Sequence, residues 1–464
     1  MARRFARLLP FLVACTACAP AFANGRPQLG FYLDRKPTVD EVKSCYTGAK
    51  YEPLYGCYLG AYIDLDSSLT QTYKDSIGRT RRLPQAFESI VGTPHATYFF
   101  YLGYGRPLPT DWVSLLAMQG KIVHIALEPN RGIQYVLDDE YLENLAKDMG
   151  KTNAKIFLRF GSEMNGAWVD YGKDPELYKQ KFRLVAQKMK QYAPNVAMVW
   201  CPYATPINPI SSYYPGDDYV DWVGVNMYSV TYYDQDPKKP ARQVHPMEML
   251  DYVYDRYSER KPIMIGEYGT THFSALESKS IPGFAERNLY ALYAGLPRRY
   301  PRVKCIDYFN GNNLELAHRL NNNYAVTQNA AVLDAYRKVI EPDYYLKDAS
   351  ELPEYFDLTA LNYGRVDGST NPMATVPLSP MPFVDGQTVQ GKLDISAWFR
   401  TISTHVMMRF KIDGNLLYEG LGSDKWFVTI GTSRLTEGWH TFSVEAFDGR
   451  RRVGRRSARV MVLH

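Results

Sequence analysis

Residues 154–168 read AKIFLRFGSEMNGAW, and residues 262–270 read PIMIGEYGT. Each is a short apolar run that stops at a polar, glycine-containing break. A run of that length with no polar face is the pattern of a strand buried on both sides, as in a parallel sheet. Glu163 follows the first run and Glu267 ends the second. Working outward, the same pattern recurs at residues 59–63, 96–102, 121–127, 196–201, 219–226 and 303–309. Amphipathic helical segments alternate with these runs at 109–118, 138–149, 175–192, 246–257, 284–294 and 330–340. Asp138 is the expected cap of the second, and Pro175 sits at the first turn of the third. Eight strands, each followed by a helix or a long loop, close into a barrel rather than leave an open sheet. The predicted fold class is therefore α/β, a (β/α)8 TIM barrel over residues 58–341.

The pattern changes on either side of that span. Residues 24–57 form an N-terminal extension. Residues 342–385 carry scattered Pro and Gly without a sustained period and read as a linker or wrapping segment. From 386 to 464 apolar and polar residues alternate, with hairpin signals at Asp413-Gly414 and Asp448-Gly449. That predicts a small C-terminal antiparallel β-sandwich. A basic cluster, Arg450–Arg452 with Arg455, Arg456 and Arg459, falls in its last hairpin and reads first as a solvated turn.

The first residues have the form of an export signal over residues 1–23: Arg3, Arg4 and Arg7, an apolar run, then Ala21-Phe22-Ala23. This predicts a periplasmic or extracellular protein. A competing reading takes Leu12-Val13-Ala14-Cys15 as a lipidation site, with Cys15 anchoring an outer-membrane lipoprotein. Loss of the signal takes the formal charge from +5 to about +2, which suggests neither nucleic acid nor a polyanion as partner. No run is long enough for a transmembrane helix, and a monomer is the simplest assembly. Cys45 and Cys57 lie close together in a loop-rich stretch, and a disulfide between them would contribute about 3 kcal/mol. Cys201 and Cys305 sit in apolar runs and read as buried thiols.

Two glutamates stand where barrel chemistry belongs, at the ends of the fourth and seventh strands, which face each other across the mouth. Cleaving a β-glycosidic bond with retention requires two carboxyls about 5–5.5 Å apart, one protonated and one ionised. Arg159, four residues before Glu163, is either a fixed cation below that pair or a core ion pair without a catalytic part. Asn165 reads equally as a loop cap or a sugar contact. Tyr104, Tyr171, Tyr203, Tyr308 and Phe309 are candidate cleft aromatics. His272 lies just past Glu267 and is a further cleft candidate, while His124 on the third strand reads as a core histidine. No histidines have metal-ligand spacing, and there is no nucleophile elbow, phosphate loop or dinucleotide fingerprint, so neither metal nor cofactor is expected.

The run from Arg159 to Trp168 resembles the acid/base motif of glycoside hydrolase family 26, the β-mannanases and related endo-β-glycanases. The resemblance continues through residues 215–228 (PGDDYVDWVGVNMY) to Gly266-Glu267-Tyr268-Gly269 and covers about residues 55–340. It implies Glu163 as general acid/base, Glu267 as nucleophile, Tyr228 as a hydrogen-bond partner of the nucleophile and Trp168 as a sugar-stacking ring. One position departs: the family has His immediately before the acid/base, and this chain has Ser162. A short hydroxyl there leaves both carboxyls in place but loosens the expected specificity for mannan. The C-terminal module resembles bacterial immunoglobulin-like modules appended to secreted glycosidases.

The expectation is a retaining endo-β-glycosidase acting by double displacement on a β-linked polysaccharide. The first substrate expected is β-1,4-mannan, followed by a bacterial exopolysaccharide or a β-glucan. Two alternatives stand beside it: a barrel that binds sugar without catalysis, and a transglycosylase using the same two glutamates.

Overall fold

Eight parallel strands form a closed barrel in this computed structural model, which describes residues 29–34, 45–316, 322–349, 386–399, 406–421 and 427–464. The export-signal reading, Cys15 and most of the 342–385 segment lie outside the described residues. The strands are β1 (Cys57–Tyr62), β2 (Thr97–Gly103), β3 (Ile122–Glu128), β4 (Ile156–Phe160), β5 (Val196–Trp200), β6 (Trp222–Ser229), β7 (Ile263–Thr270) and β8 (Val303–Phe309). Closure is made by β8 pairing with β1, from Cys305 opposite Tyr58 to Phe309 opposite Tyr62. Each expected strand is present within a few residues. The sixth begins three residues later than the sequence suggested, because Asp217–Tyr219 is taken up by a single 3-10 turn. Asp217 in that turn is held by Tyr214 at 2.6 Å and Arg260 at 2.5 Å.

The outer helices are α1 (Pro84–Val91), α2 (Thr110–Met118), α3 (Glu140–Lys151), α4 (Pro175–Tyr192), α5 (Pro246–Tyr257), α6 (Pro282–Tyr293) and α7 (Ala330–Val339). Four of them, α1, α4, α5 and α6, start with Pro in the first turn, where its missing N–H costs nothing. The cap of α3 is Asp139, which accepts from Leu142 N at 3.0 Å; Asp138 instead pairs with Lys188. In α4 the buried residues Tyr178, Phe182, Val185, Ala186 and Met189 keep one face against the barrel. The helix α1 was not read from the sequence, since it has no side-chain cap and follows a short hairpin at 72–74 and 80–82.

Strand alternation sorts the side chains. On β3, Val123, Ile125 and Leu127 join the shell between strands and helices. Their neighbours His124, Ala126 and Glu128 therefore face the barrel interior. The same parity puts Arg159 inward on β4, Asn226 and Tyr228 inward on β6, and Tyr101 inward on β2. On β7 it breaks. Ile263, Ile265 and Tyr268 belong to the outer shell, and the β6–β7 register slips between Ile265 and Glu267. This bulge places Gly266 and Glu267 on the interior side in succession.

The expected disulfide is not formed: Cys45 and Cys57 are both buried thiols. Cys57 opens β1 and is packed into the barrel core. Burial there pushes its thiol well above the usual range.

The C-terminal region is a sandwich of two sheets around its own apolar core, including Ile395, Phe410, Val444 and Val460. One sheet has five strands and the other three, and the pairings are antiparallel except for residues 387–390 against 460–463. The three-stranded sheet takes its outer strand from the far side of the barrel sequence: Leu29–Asp34 pairs with residues 394–399. The N-terminal extension of residues 24–57 thus contributes a strand to the C-terminal sandwich. Deleting residues 29–34 exposes the edge of the 392–399 strand. The melting temperature of the sandwich, followed by circular dichroism, is expected to drop by about 5 °C or more, with the unfolding transition of the barrel unchanged.

Candidate active site

The barrel mouth opens into a cavity of about 1180 Å3, lined by Tyr101, Glu128, Ser162, Glu163, Trp168, Tyr228 and Glu267 among others. Glu163 leaves β4 through a tight turn. Gly161 has φ +54° and Glu163 itself φ +59°. A left-handed conformation at a non-glycine residue costs about 1 kcal/mol. It is fixed here by two backbone bonds, Glu163 N to Cys201 O at 2.9 Å and Gly166 N to Glu163 O at 2.8 Å. Gly166 is required for a second reason: a Cβ there would meet the Trp168 indole at 2.4 Å. The indole folds over this glycine and donates from Nε1 to Glu163 Oε2 at 2.7 Å. Its ring stays 53% exposed at the lip of the cavity and packs edge-on to Tyr203, with centroids 5.1 Å apart. An exposed indole so anchored offers a flat apolar face to whatever enters the cavity.

Glu267 sits opposite. Its Oε1 accepts from Arg159 Nη2 and from Tyr101 OH, the latter at 2.6 Å. Its Oε2 accepts from Tyr228 OH. Arg159 is fully buried and also donates from Nη1 to Asn226 Oδ1 at 3.0 Å. The other end of that amide, Nδ2, donates to Glu163 Oε1 at 2.8 Å. A continuous chain of side chains, Glu163–Asn226–Arg159–Glu267, thus joins the two carboxyls. The chain depends on Gly266, where a Cβ would lie 2.9 Å from Asn226 Oδ1 and 3.0 Å from Arg159 Nη1.

The two carboxyls are electrostatically unlike. Burial, and then repulsion from Glu267, push the Glu163 carboxyl up to about 7, against the opposing pull of Asn226, Trp168 and Arg159. Glu267 is instead ion-paired with Arg159. A carboxyl that keeps its proton near neutral pH thus stands beside one bound to a permanent cation, an arrangement suited to giving a proton on one side and attacking on the other.

Several residues take a different place from the one their sequence context suggested. Arg159 does not line the cavity but lies beneath it, as the fixed cation of the two readings. Asn165 is a loop brace: it donates to Tyr203 O and Pro206 O at 2.8 and 3.0 Å and accepts from Tyr203 N. His272 is buried and bonded to Ala325 O at 3.0 Å, outside the cavity lining, because its strand end is covered by residues 322–325. Tyr308 faces the outer shell, bonded to Tyr324 O, and Tyr104 packs on Tyr141 instead of lining the cavity. His124 is a core histidine, 2.7 Å from Asp307. Tyr171, Tyr203 and Phe309 do line the cavity. The sequence reading missed Tyr101, Asn226 and Glu128, although strand parity was a signal that points all three inward. Among the described residues no cluster of metal-ligating side chains is present.

The barrel thus carries one carboxyl within β7, at Glu267, and another just beyond β4, at Glu163. Residues 118–244 match the family model described as Glycosyl hydrolase family 26. Two relatives are similar over 190 residues. One is a β-1,3-xylanase of an Alcaligenes species, 32% identical over 39% of this chain and 39% of that protein. The other is the β-1,3-xylanase TXYA of a Vibrio species, 28% identical over 39% of this chain and 40% of that protein. The chain thus spans about two-fifths of the length of each of these relatives. Among solved structures, the family 26 β-mannanase BoMan26A of Bacteroides ovatus has a TM-score of 0.45 at 15% identity, covering 71% of this chain and 98% of that one. The modular endo-β-1,4-mannanase of Cellulomonas fimi has a TM-score of 0.48 at 15% identity, covering 93% and 99%.

The geometry predicts the pH profile. An acid must hold its proton, so kcat/KM is expected to be sustained below about 7 and to fall as pH rises through that value. Trp168→Phe removes a donor that favours ionised Glu163, and the basic limb is expected to move to higher pH. Tyr101→Phe, which removes one hydrogen bond to Glu267, is expected to lower kcat roughly 10-fold. Both effects are read from steady-state rates across a pH series.

Proposed function

We propose that the protein is a retaining endo-β-glycosidase that hydrolyses a β-linked polysaccharide by double displacement. Glu267 attacks the anomeric carbon while Glu163 gives its proton to the departing glycosidic oxygen, leaving a covalent glycosyl-enzyme. Glu163, now ionised, takes a proton from water, which attacks the same carbon and frees Glu267. The observation that carries this reading is the linked pair of carboxyls, Glu163 just beyond β4 with its pKa raised and Glu267 within β7 ion-paired to Arg159. The tyrosine hydroxyls on Glu267 favour its departure as a carboxylate. The cavity exceeds the roughly 300–1,000 Å3 of a site for one small molecule, which supports binding along a chain.

Of the substrates, β-1,3-xylan takes first place because both relatives bear that activity in their names, and β-1,4-mannan follows. The signal-like first residues support action outside the cytoplasm, on a polysaccharide in the periplasm or beyond. The intact carboxyl pair speaks against a barrel that has kept binding alone.

Incubation with β-1,3-xylan and β-1,4-mannan is expected to release oligosaccharides whose first-formed anomer is β by NMR. Glu267→Ala is expected to lose about 1,000-fold or more in kcat, near 4 kcal/mol. With Glu163→Ala, added azide is expected to restore turnover and yield a β-glycosyl azide. A first-formed α anomer would exclude retention, turnover by Glu267→Ala equal to that of an active wild type would exclude Glu267 as nucleophile, and a wild type no more active than Glu267→Ala on every β-glycan would exclude the enzyme reading.

A further inference from the structure

A third carboxyl faces the cavity, and the two-glutamate mechanism leaves it without a task. Glu128 is the last residue of β3, 8% exposed, and lines the cavity beside Glu163. Its backbone is fixed, since its carbonyl accepts from Tyr104 N and Asn130 N, both at 2.9 Å. Its side chain is held by neutral hydroxyls. Ser162 Oγ donates to Oε1 at 2.6 Å, and Tyr171 OH lies 2.6 Å from Oε2.

These donors leave the carboxyl under-supplied. A carboxylate has about four acceptor positions. Ser162 fills one. Tyr171 has a single phenolic proton to share between Glu128 Oε2 and the Ser162 carbonyl, which is also 2.6 Å away. At most two of the four positions are therefore met by these hydroxyls, on a carboxyl whose ionisation burial already resists. Such a group is costly unless something else donates to it. The open direction is the cavity. What enters there, in a glycosidase, carries hydroxyls on neighbouring ring carbons.

The missing histidine fits the same picture. At the position before Glu163, Ser162 lines the cavity but spends its hydroxyl proton on Glu128. The polar contact that position offers a sugar is passed to the carboxyl of β3.

We infer that Glu128, oriented by Ser162 and Tyr171, accepts hydrogen bonds from hydroxyls of the sugar bound beside Glu163 and so selects a neutral, unsubstituted pyranose over a uronate. The inference rests on the glycosidase reading above and deepens it. A carboxylate-bearing sugar at that place meets a second carboxyl and brings an acceptor where Glu128 needs a donor. An ester or ether on the recognised hydroxyl removes the donor. Glu128 thus binds substrate without taking part in bond cleavage.

The test compares full-length wild type, Glu128→Gln and Ser162→Ala. Rates are measured on β-1,3-xylan and β-1,4-mannan, and binding of β-1,3-xylotriose and β-1,4-mannotriose is measured by tryptophan fluorescence. Glu128→Gln keeps the shape but replaces one acceptor oxygen by a donor. It is expected to lower kcat/KM and trisaccharide affinity roughly 10- to 100-fold, while the basic limb near 7 and the melting temperature stay in place. Ser162→Ala, which only loosens Glu128, is expected to cost roughly 3- to 10-fold, mainly in KM. Glu128→Gln within twofold of wild type on a glycan that wild type cleaves or binds would overturn the inference alone. So would a loss that tracks a lowered melting temperature while Ser162→Ala keeps the wild-type KM. If wild type neither cleaves nor binds either glycan, the glycosidase reading fails and takes this one with it.

Discussion

One buried cation organises the barrel mouth. The Arg159 guanidinium is fully enclosed and does not shed its proton, so its charge has to be met where it stands. Removing a charge from water costs several kcal/mol even after the surroundings relax. Glu267 and Asn226 meet it directly, and the rings of Phe99 and Tyr101 lie 5.3 and 5.9 Å from its carbon. The consequences spread outward from this contact. The cation requires an oxygen from Asn226, which fixes the orientation of that amide and turns its NH2 toward Glu163. The same cation is paired with Glu267 and only distantly felt by Glu163. One carboxyl is therefore held against the cation, and the other is pushed toward keeping its proton.

The tyrosines show how composition misleads and geometry corrects. The chain has 37 of them, and the number alone separates no function from another. Tyr308, Tyr293 and Tyr336 pack together in the outer shell and serve stability. Tyr101 and Tyr228 donate to Glu267, and Tyr171 steadies Glu128. The same side chain is a core filler on one face of a strand and a hydrogen-bond donor on the other.

The architecture was largely legible because it depends on periodicity. Apolar runs at regular intervals marked all eight strands, and the glutamates were visible because each interrupts or ends such a run. The companions of those glutamates were less visible. Tyr101, Asn226 and Glu128 look like ordinary strand residues until each strand's parity is set against a known inward position such as Arg159. On β7 even parity misleads: by strict alternation Glu267 would point to the helices. The bulge at Gly266 turns it inward, and a two-residue period cannot reveal a bulge. His272 and Asn165 failed as cleft residues for a related reason. Their sequence positions lie near the site, but loop hydrogen bonds take their side chains away from it. The Cys45–Cys57 pairing rested on closeness along the chain, and chain distance does not set side-chain direction.

The strand at residues 29–34 has a consequence for how the molecule is made. It belongs to a sheet whose next strand begins more than 350 residues later, at Lys392. Between the two lies the whole barrel. A chain that emerges from its amino end must hold this strand unpaired while the barrel forms and closes. The sandwich completes itself only when the residues beyond the barrel arrive, and by then both flanks of the barrel sequence are tied into one sheet. The small module therefore works as a clasp, and its closure reports that everything between its two halves has been delivered.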